Sequence, residues 1–321
     1  MRFATRLASL TLAAAFVAAG CTGAATNAPS PSASPEASPS AATSPSPAAS
    51  QAAVSPSSDA CAAANLKTVT PGKLTIGTDN PAYPPYFLPP SSGKPVAPWD
   101  PSQGDPTDGR GFESATAYDI AGKLGFTQDK VVWVPVKFDQ SFAPGPKTFD
   151  FDINQVSYLP ERAQTADLSD GYYQVSQALV ALKGSPIANA KSVADLKAYQ
   201  LGAQAGTTSY KMITDTVQPT KQARLYDTND AAIQALKVKQ IDGLVVDLPT
   251  ADFITSVQLD GSVIVGQFKN DTGEHFSVVL QKGSPLTACV NQAVDALKAD
   301  GTLDTLAKTW LPFNATPVFT P

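Results

Sequence analysis

The chain has 321 residues, a mass of 33.3 kDa, a net charge of −5 and a pI near 4.9, a balance that excludes a basic nucleic-acid footprint. One His and three Cys are too few to build a zinc centre, and no motif calls for a cofactor. Residues 22–60 draw 30 of their 39 positions from Ala, Ser and Pro. Such a stretch cannot bury enough apolar surface to offset its chain entropy and is expected to be a disordered tether, leaving a body of 261 residues for folding.

At the N-terminus, Arg2 and Arg6 precede an apolar run, Leu7–Ala19, that is too short to span a bilayer. Basic residues, an apolar run and a small-residue end are expected to make residues 1–20 a signal peptide. The run closes in Val17-Ala18-Ala19-Gly20-Cys21, which resembles the lipobox of bacterial lipoproteins. That resemblance implies a lipid thioether on Cys21 and a body held at the outer face of a cell membrane. The alternative is ordinary cleavage nearby with an incidental Cys. Setting Cys21 aside leaves Cys61 and Cys289. Export favours a disulfide between them over two buried thiols.

Along the body, Lys73–Gly77 reads as a strand and Ser114–Leu124 as a helix with Ala117, Ile120, Ala121 and Leu124 at helical spacing. Strands follow at Val131–Val136, Asp150–Val156 and Leu179–Leu182. Ser192 and Asp195 signal a short capped helix. Leu201–Ala205 reads as a strand, Thr208–Val217 as a helix, and Asn229 as the cap of a helix over Asp230–Lys239. Leu244–Val246 is a buried strand before the helix Thr250–Val257. Phe276–Leu280 is a strand before the helices Pro285–Ala299 and Leu303–Leu311. Strand and helix in alternation predict an α/β fold with mostly parallel sheets. Residues 88–110, rich in Pro, Gly and Asp, form a long loop. Asp100, Asp105 and Asp108 lack the spacing of a calcium loop and read as turn formers.

Four segments carry candidate chemistry. In Gly77-Thr78-Asp79-Asn80-Pro81-Ala82-Tyr83, Asp79 and Tyr83 follow a strand, at the sheet edge where α/β proteins bind ligands. In Phe149–Tyr173, Asn154, Gln155 and Ser157 leave a strand and Arg162 follows; a guanidinium can clamp a carboxylate with two parallel bonds, whereas an isolated Arg is usually a surface charge. Gly206-Thr207-Thr208 offers backbone N–H groups and hydroxyls at a helix start, as an anion seat or as plain caps. Asp247 ends a strand, where it can meet an ammonium or cap the following helix. A cationic seat, an anionic seat, aromatics and neutral polar groups together suit a zwitterion.

In that order the segments GTD…YPPYF, GF-x₆-DIAGKLG, PER…DLSDGYY, GTTS, VVDLP and LKADGTLDTLAKTWL resemble the amino-acid-binding solute-binding proteins of ABC transporters (family 3) from about Lys73 to Leu311. The resemblance implies a two-lobed type II periplasmic-binding-protein fold with two hinge strands, residues 61–176 and 275–321 forming one lobe and 177–274 the other. It implies that Arg162, with Thr207 and the Thr208 backbone, holds a ligand carboxylate and that Asp247 receives the ammonium. Tyr83 and Phe138 would enclose the side chain, Asp79 would meet its polar end, and Ser157 would lie near the charged groups. Asn154 and Gln155 are bulkier than the small residues common there, which narrows or re-aims the pocket. The partners implied are a free amino acid, polar or cationic, and the subunits of an ABC permease, with the protein a monomer. An exported enzyme resembling cyclohexadienyl dehydratases and a ligand-presenting sensor are the competing readings. For the enzyme, Glu113 is the candidate acid or base, but no nucleophile–base pair accompanies it.

Overall fold

A computed structural model describes residues 60–100, 102–311 and 315–321. The expected signal segment, Cys21 and nearly all of the tether lie outside the described residues. Among the described residues no helix is long and apolar enough to cross a membrane.

The first lobe opens with β1 (Leu74–Thr78), buried along its whole length. The 88–110 loop intervenes before α1 (Phe112–Lys123), which is followed by β2 (Val131–Pro135), the single turn α2 (Phe138–Ser141) and the short β3 (Phe151–Asp152). Next come the turn α3 (Arg162–Thr165), β4 (Ala166–Leu168) and β5 (Tyr173–Gln174). β2 lies at the sheet edge with Trp133 as its one buried residue, beside the fully covered β1.

The second lobe holds β6 (Gln177–Leu182), β7 (Leu201–Gln204), α4 (Thr208–Lys211), β8 (Arg224–Tyr226), α5 (Asn229–Lys237), β9 (Gly243–Asp247), α6 (Leu248–Phe253) and β10 (Ser262–Gln267). The chain then returns through β11 (His275–Phe276) and β12 (Val279–Gln281) to α7 (Thr287–Ala299) and α8 (Thr302–Trp310) of the first lobe.

Each lobe carries one five-stranded sheet, in the orders β2-β1-β3-β12-β4 and β10-β6-β9-β7-β8. The sheets are mixed rather than mostly parallel. β1 is parallel to β2 and β3, and β9 and β8 flank β7 in parallel, but strands next to a chain crossing (β6, β10 and β12) pair antiparallel. A strand that arrives from the other lobe enters without a helical crossover, so nothing forces it parallel. At the crossing itself β5 and β11 pair antiparallel, His275 opposite Gln174.

Several expected elements change shape. Phe276–Leu280 breaks into β11 and β12. The helices after β7 and β9 loosen into π-helical turns over Met212–Val217 and Ile254–Gln258. Thr228, not Asn229, caps α5, its Oγ1 accepting the Ala231 N–H at 3.2 Å.

The C-terminal tail also departs from the expected lobe division. Gln267 pairs with Val318, Ser192 pairs with Thr320, and the Phe319 ring packs at 5.1 Å from Phe268 in the core of the second lobe. β12, α7 and α8 pack in the first lobe, but the last residues cross back. Phe319 supplies apolar surface that β10 needs on its outer face, and full burial of such a ring is worth about 1.5–3 kcal/mol.

Cys61 and Cys289 are bonded, which ties the start of the body to α7 across 228 residues. In the 88–110 loop the acids form turns, as read. Asp105 accepts the N–H groups of Val96 and Thr107, Asp108 that of Ser91, and Asp100 that of Ser102.

Candidate functional site

The parallel strands of both sheets point their C-terminal ends at one narrow interlobe cleft, with a cavity of about 40 Å³. Nine of the ten candidate ligand-binding residues line it: Asp79, Tyr83, Phe138, Asn154, Gln155, Arg162, Thr207, Thr208 and Asp247. Ser157 does not. It lies behind Thr208, their hydroxyls 3.4 Å apart, and donates to Glu274 Oε1 at 2.7 Å.

Arg162 is not a surface charge. It is 5% exposed, and its guanidinium lies 4.5 Å from the Phe142 ring centroid and 5.5 Å from that of Phe138. These contacts orient the planar fork by cation–π attraction. Nη1 donates to the Ser157 carbonyl at 2.6 Å and Nη2 to the Gly206 carbonyl at 2.8 Å, the second bond reaching across to the other lobe. Gly206 has φ of 75°, a left-handed turn conformation suited to glycine, and this turn sets its carbonyl between the lobes. Burial lowers the Arg162 pKa to about 10, with Glu274 and Asp247 opposing the fall.

Asp247 stands at the N-terminus of α6 but makes no side-chain cap bond. Its Oδ1 instead accepts Gln177 Nε2 at 2.6 Å, and the same nitrogen lies 3.1 Å from Glu274 Oε1. Burial first, then the neighbouring Glu274 carboxylate, raise Asp247 to about 8. A buried carboxylate with too few donors is a seat for an incoming cation.

Thr207 caps α4, accepting the Tyr210 N–H at 3.2 Å, so its hydroxyl is engaged while the residue still lines the cleft. Thr208 Oγ1 is 3.3 Å from Gln177 Nε2. Asp79 accepts the Asn80 N–H, and burial raises its pKa. Asn154 is buried and its Nδ2 has no hydrogen-bond partner among the described residues, an unspent donor at the cleft wall. Tyr83 does more than enclose: its hydroxyl donates to Asp230 of the second lobe at 3.1 Å.

Sequence reasoning missed Gln204, Ser209, Asn229 and Thr250, which also line the cleft, and the supporting pair Gln177 and Glu274. The first four lie at or shortly after strand ends, a positional signal that was available. Near Asp79 lies a further acid, Asp152, fully buried with neither oxygen paired among the described residues and its pKa well above the ordinary value, mainly through burial and then Glu113. A Cβ on Gly77 would approach Asp152 Oδ2 to 2.6 Å, so this glycine makes room for the carboxylate.

The model of the bacterial extracellular solute-binding proteins, family 3, matches residues 74–313. The chain belongs to that family. Among family 3 relatives, the L-cystine-binding protein TcyJ of Escherichia coli (strain K12) is 29% identical over 252 residues, 76% of this chain and 85% of that protein. An ancestral arginine-binding protein bound to arginine shares 29% identity at a TM-score of 0.61, covering 75% of this chain and 99% of that structure. The ancestral amino acid-binding protein AncCDT-1, a precursor of cyclohexadienyl dehydratase, shares 27% identity at a TM-score of 0.59, covering 75% of this chain and 96% of that structure. The two-lobed type II fold of family 3 is therefore the fold of this chain.

Proposed function

We propose that the protein is an extracytoplasmic solute-binding lipoprotein that captures a polar or cationic amino acid in the interlobe cleft and delivers it to an ABC permease. The observation that carries this reading is the pairing of a buried guanidinium, Arg162, from one lobe with a buried carboxylate, Asp247, from the other in one cleft. Arg162 takes the ligand carboxylate and Asp247 its ammonium. Each charged hydrogen bond is worth about 1.5–3 kcal/mol, and a ligand that touches both lobes stabilises the closed form by its differential affinity. Asp79, Asp230 and Glu274 beside the cleft add negative charge, which favours a basic or polar side chain over an acidic one. The arginine and L-cystine named for the two relatives agree with a ligand of that kind.

Residues 1–60 would address the chain, anchor it through Cys21 and hold the monomeric body off the membrane. Cys21→Ser should move the protein from the membrane fraction to the medium. Isothermal titration against the twenty amino acids tests the ligand. Tight binding of a basic or polar amino acid is expected, lost in Arg162→Ala while circular dichroism stays native. Binding confined to aliphatic or acidic amino acids removes the side-chain assignment, and unchanged affinity in Arg162→Ala removes the carboxylate clamp. The protein is read as a binding protein, not an enzyme, because Glu113 has its oxygens taken up by Gln155 and Tyr172. Turnover of prephenate would overturn that.

A further inference from the structure

Glu113, in the first turn of α1, is fully buried behind the cleft. Its Oε1 accepts the Gln155 backbone N–H at 2.7 Å and the Tyr172 hydroxyl, and its Oε2 accepts the Gln155 side-chain Nε2. Gln155 itself lines the cleft and has φ of 48°, a left-handed conformation that a residue with a side chain seldom adopts without a local anchor. Glu113 is that anchor at two points, one on the backbone and one on the side chain.

An ionised carboxylate only accepts hydrogen bonds, whereas a side-chain amide has one donor end and one acceptor end. With Nε2 turned to Glu113, the Gln155 Oε1 has no donor among the described residues and is the end left for a ligand. We propose that Glu113 is a specificity-determining positioning residue: it holds the Gln155 amide with its carbonyl oxygen available to the cleft, so that this wall selects ligand side chains ending in hydrogen-bond donors such as guanidinium or ammonium. The inference rests on the amino-acid reading of the cleft.

The groups that couple to Glu113 electrostatically are Tyr86 and Tyr172, Asp152 on β3 and Asp247 from the other lobe; none is a cation. Burial lifts Glu113 to about 7 against the bonds from Tyr172 and Gln155. Once protonated it carries a donor of its own, and the amide can turn end for end. The preference for donor-bearing ligands then weakens as pH falls through about 7.

Two measurements on the purified protein test this. The first follows the Gln155 side-chain amide by ¹⁵N nuclear magnetic resonance without ligand, the signal being assigned by its loss in Gln155→Met. The signal should titrate near pH 7 and stop titrating in Glu113→Gln; a signal indifferent to that substitution overturns the proposal. The second compares affinities for L-arginine and L-glutamine, which share the main-chain groups but differ in that glutamine can also accept. Glu113→Gln should lower the arginine-to-glutamine ratio by about tenfold, the scale of one charged hydrogen bond. Gln155→Met should lower it as well, and adding Glu113→Gln to Gln155→Met should change nothing further. A ratio unchanged by Glu113→Gln, or a further fall in the double variant, overturns the proposal. If the wild type binds no amino acid, the amino-acid reading fails, and with it the choice of ligand. The resonance measurement then still decides whether Glu113 orients Gln155.

Discussion

The Tyr83 hydroxyl donates to Asp230 Oδ2 at 3.1 Å, one residue from each lobe. The bond exists only while the lobes are together, as does the 3.3 Å contact of the Tyr86 and Thr250 hydroxyls. Burial and the Asp230 charge raise the Tyr83 pKa, so the phenol stays protonated and remains a donor at any physiological pH. Tyr83→Phe keeps the ring and removes the bond. Loss of one such bond costs about 0.5–1.5 kcal/mol, so ligand release measured by stopped flow should quicken by about two- to tenfold. An unchanged release rate would show that the bond does not hold the closed form.

Asp247 gives the cleft a pH signature. Its pKa of about 8 in the empty cleft means that it is largely protonated at pH 7. A ligand ammonium needs the carboxylate, so binding expels a proton. Affinity should rise as pH climbs from 6 towards 8, by up to about tenfold per unit. Titration in two buffers of different ionisation enthalpy should register proton release, and Asp247→Asn should abolish it. Proton uptake on binding would contradict the assignment.

The same buried acids set the pH dependence of folding. Glu113 at about 7, Asp247 at about 8 and Asp152 well above its ordinary value all hold protons more tightly folded than unfolded. Unfolding therefore releases protons between roughly pH 4.5 and 8, and stability falls as pH rises through that window. The melting temperature without ligand should drop by several degrees from pH 5.5 to 8, and Asp152→Asn should flatten the slope. A level profile would mean that these carboxyls do not gain protons on folding.

The disulfide spans 228 residues, and closing so long a loop removes about 5 kcal/mol of unfolded-state entropy in the chain-entropy account. Neither Cys lines the cleft. Replacing both by Ser should lower the denaturation midpoint clearly while leaving ligand affinity within about twofold. Loss of binding at full folding would instead tie the bridge to the cleft.

Much of the framework was legible because it is written in local pattern. β1 and β9 are short apolar runs, and α1 shows its buried face at helical spacing. Asp247 stood out as the last residue of a strand, whereas Arg162, an unremarkable charge by itself, gained weight only from the family-like order of the segments around it. Gln177 and Glu274 did not stand out, since a polar residue at a chain crossing has no periodic signature and its partners lie up to 117 positions away. Glu113 was read only as a candidate acid or base without a partner. Its burial depends on Tyr172 and Gln155 arriving from elsewhere, which no local pattern records. The π-helical turns after α4 and α6 likewise carry ordinary helical spacing and differ only in the packing that loosens them.

The crossing of the C-terminal tail has a practical side. Cys61, at the start of the body, is bolted to α7 of the first lobe, while Val318 and Phe319, three and two residues from the other end, ride on the second. The two ends of the body are thus attached to different moving parts. A donor fluorophore placed just before Cys61 and an acceptor placed after Pro321 would change their separation as the cleft opens and shuts, turning the protein into an optical gauge of its own ligand without a label in the binding site.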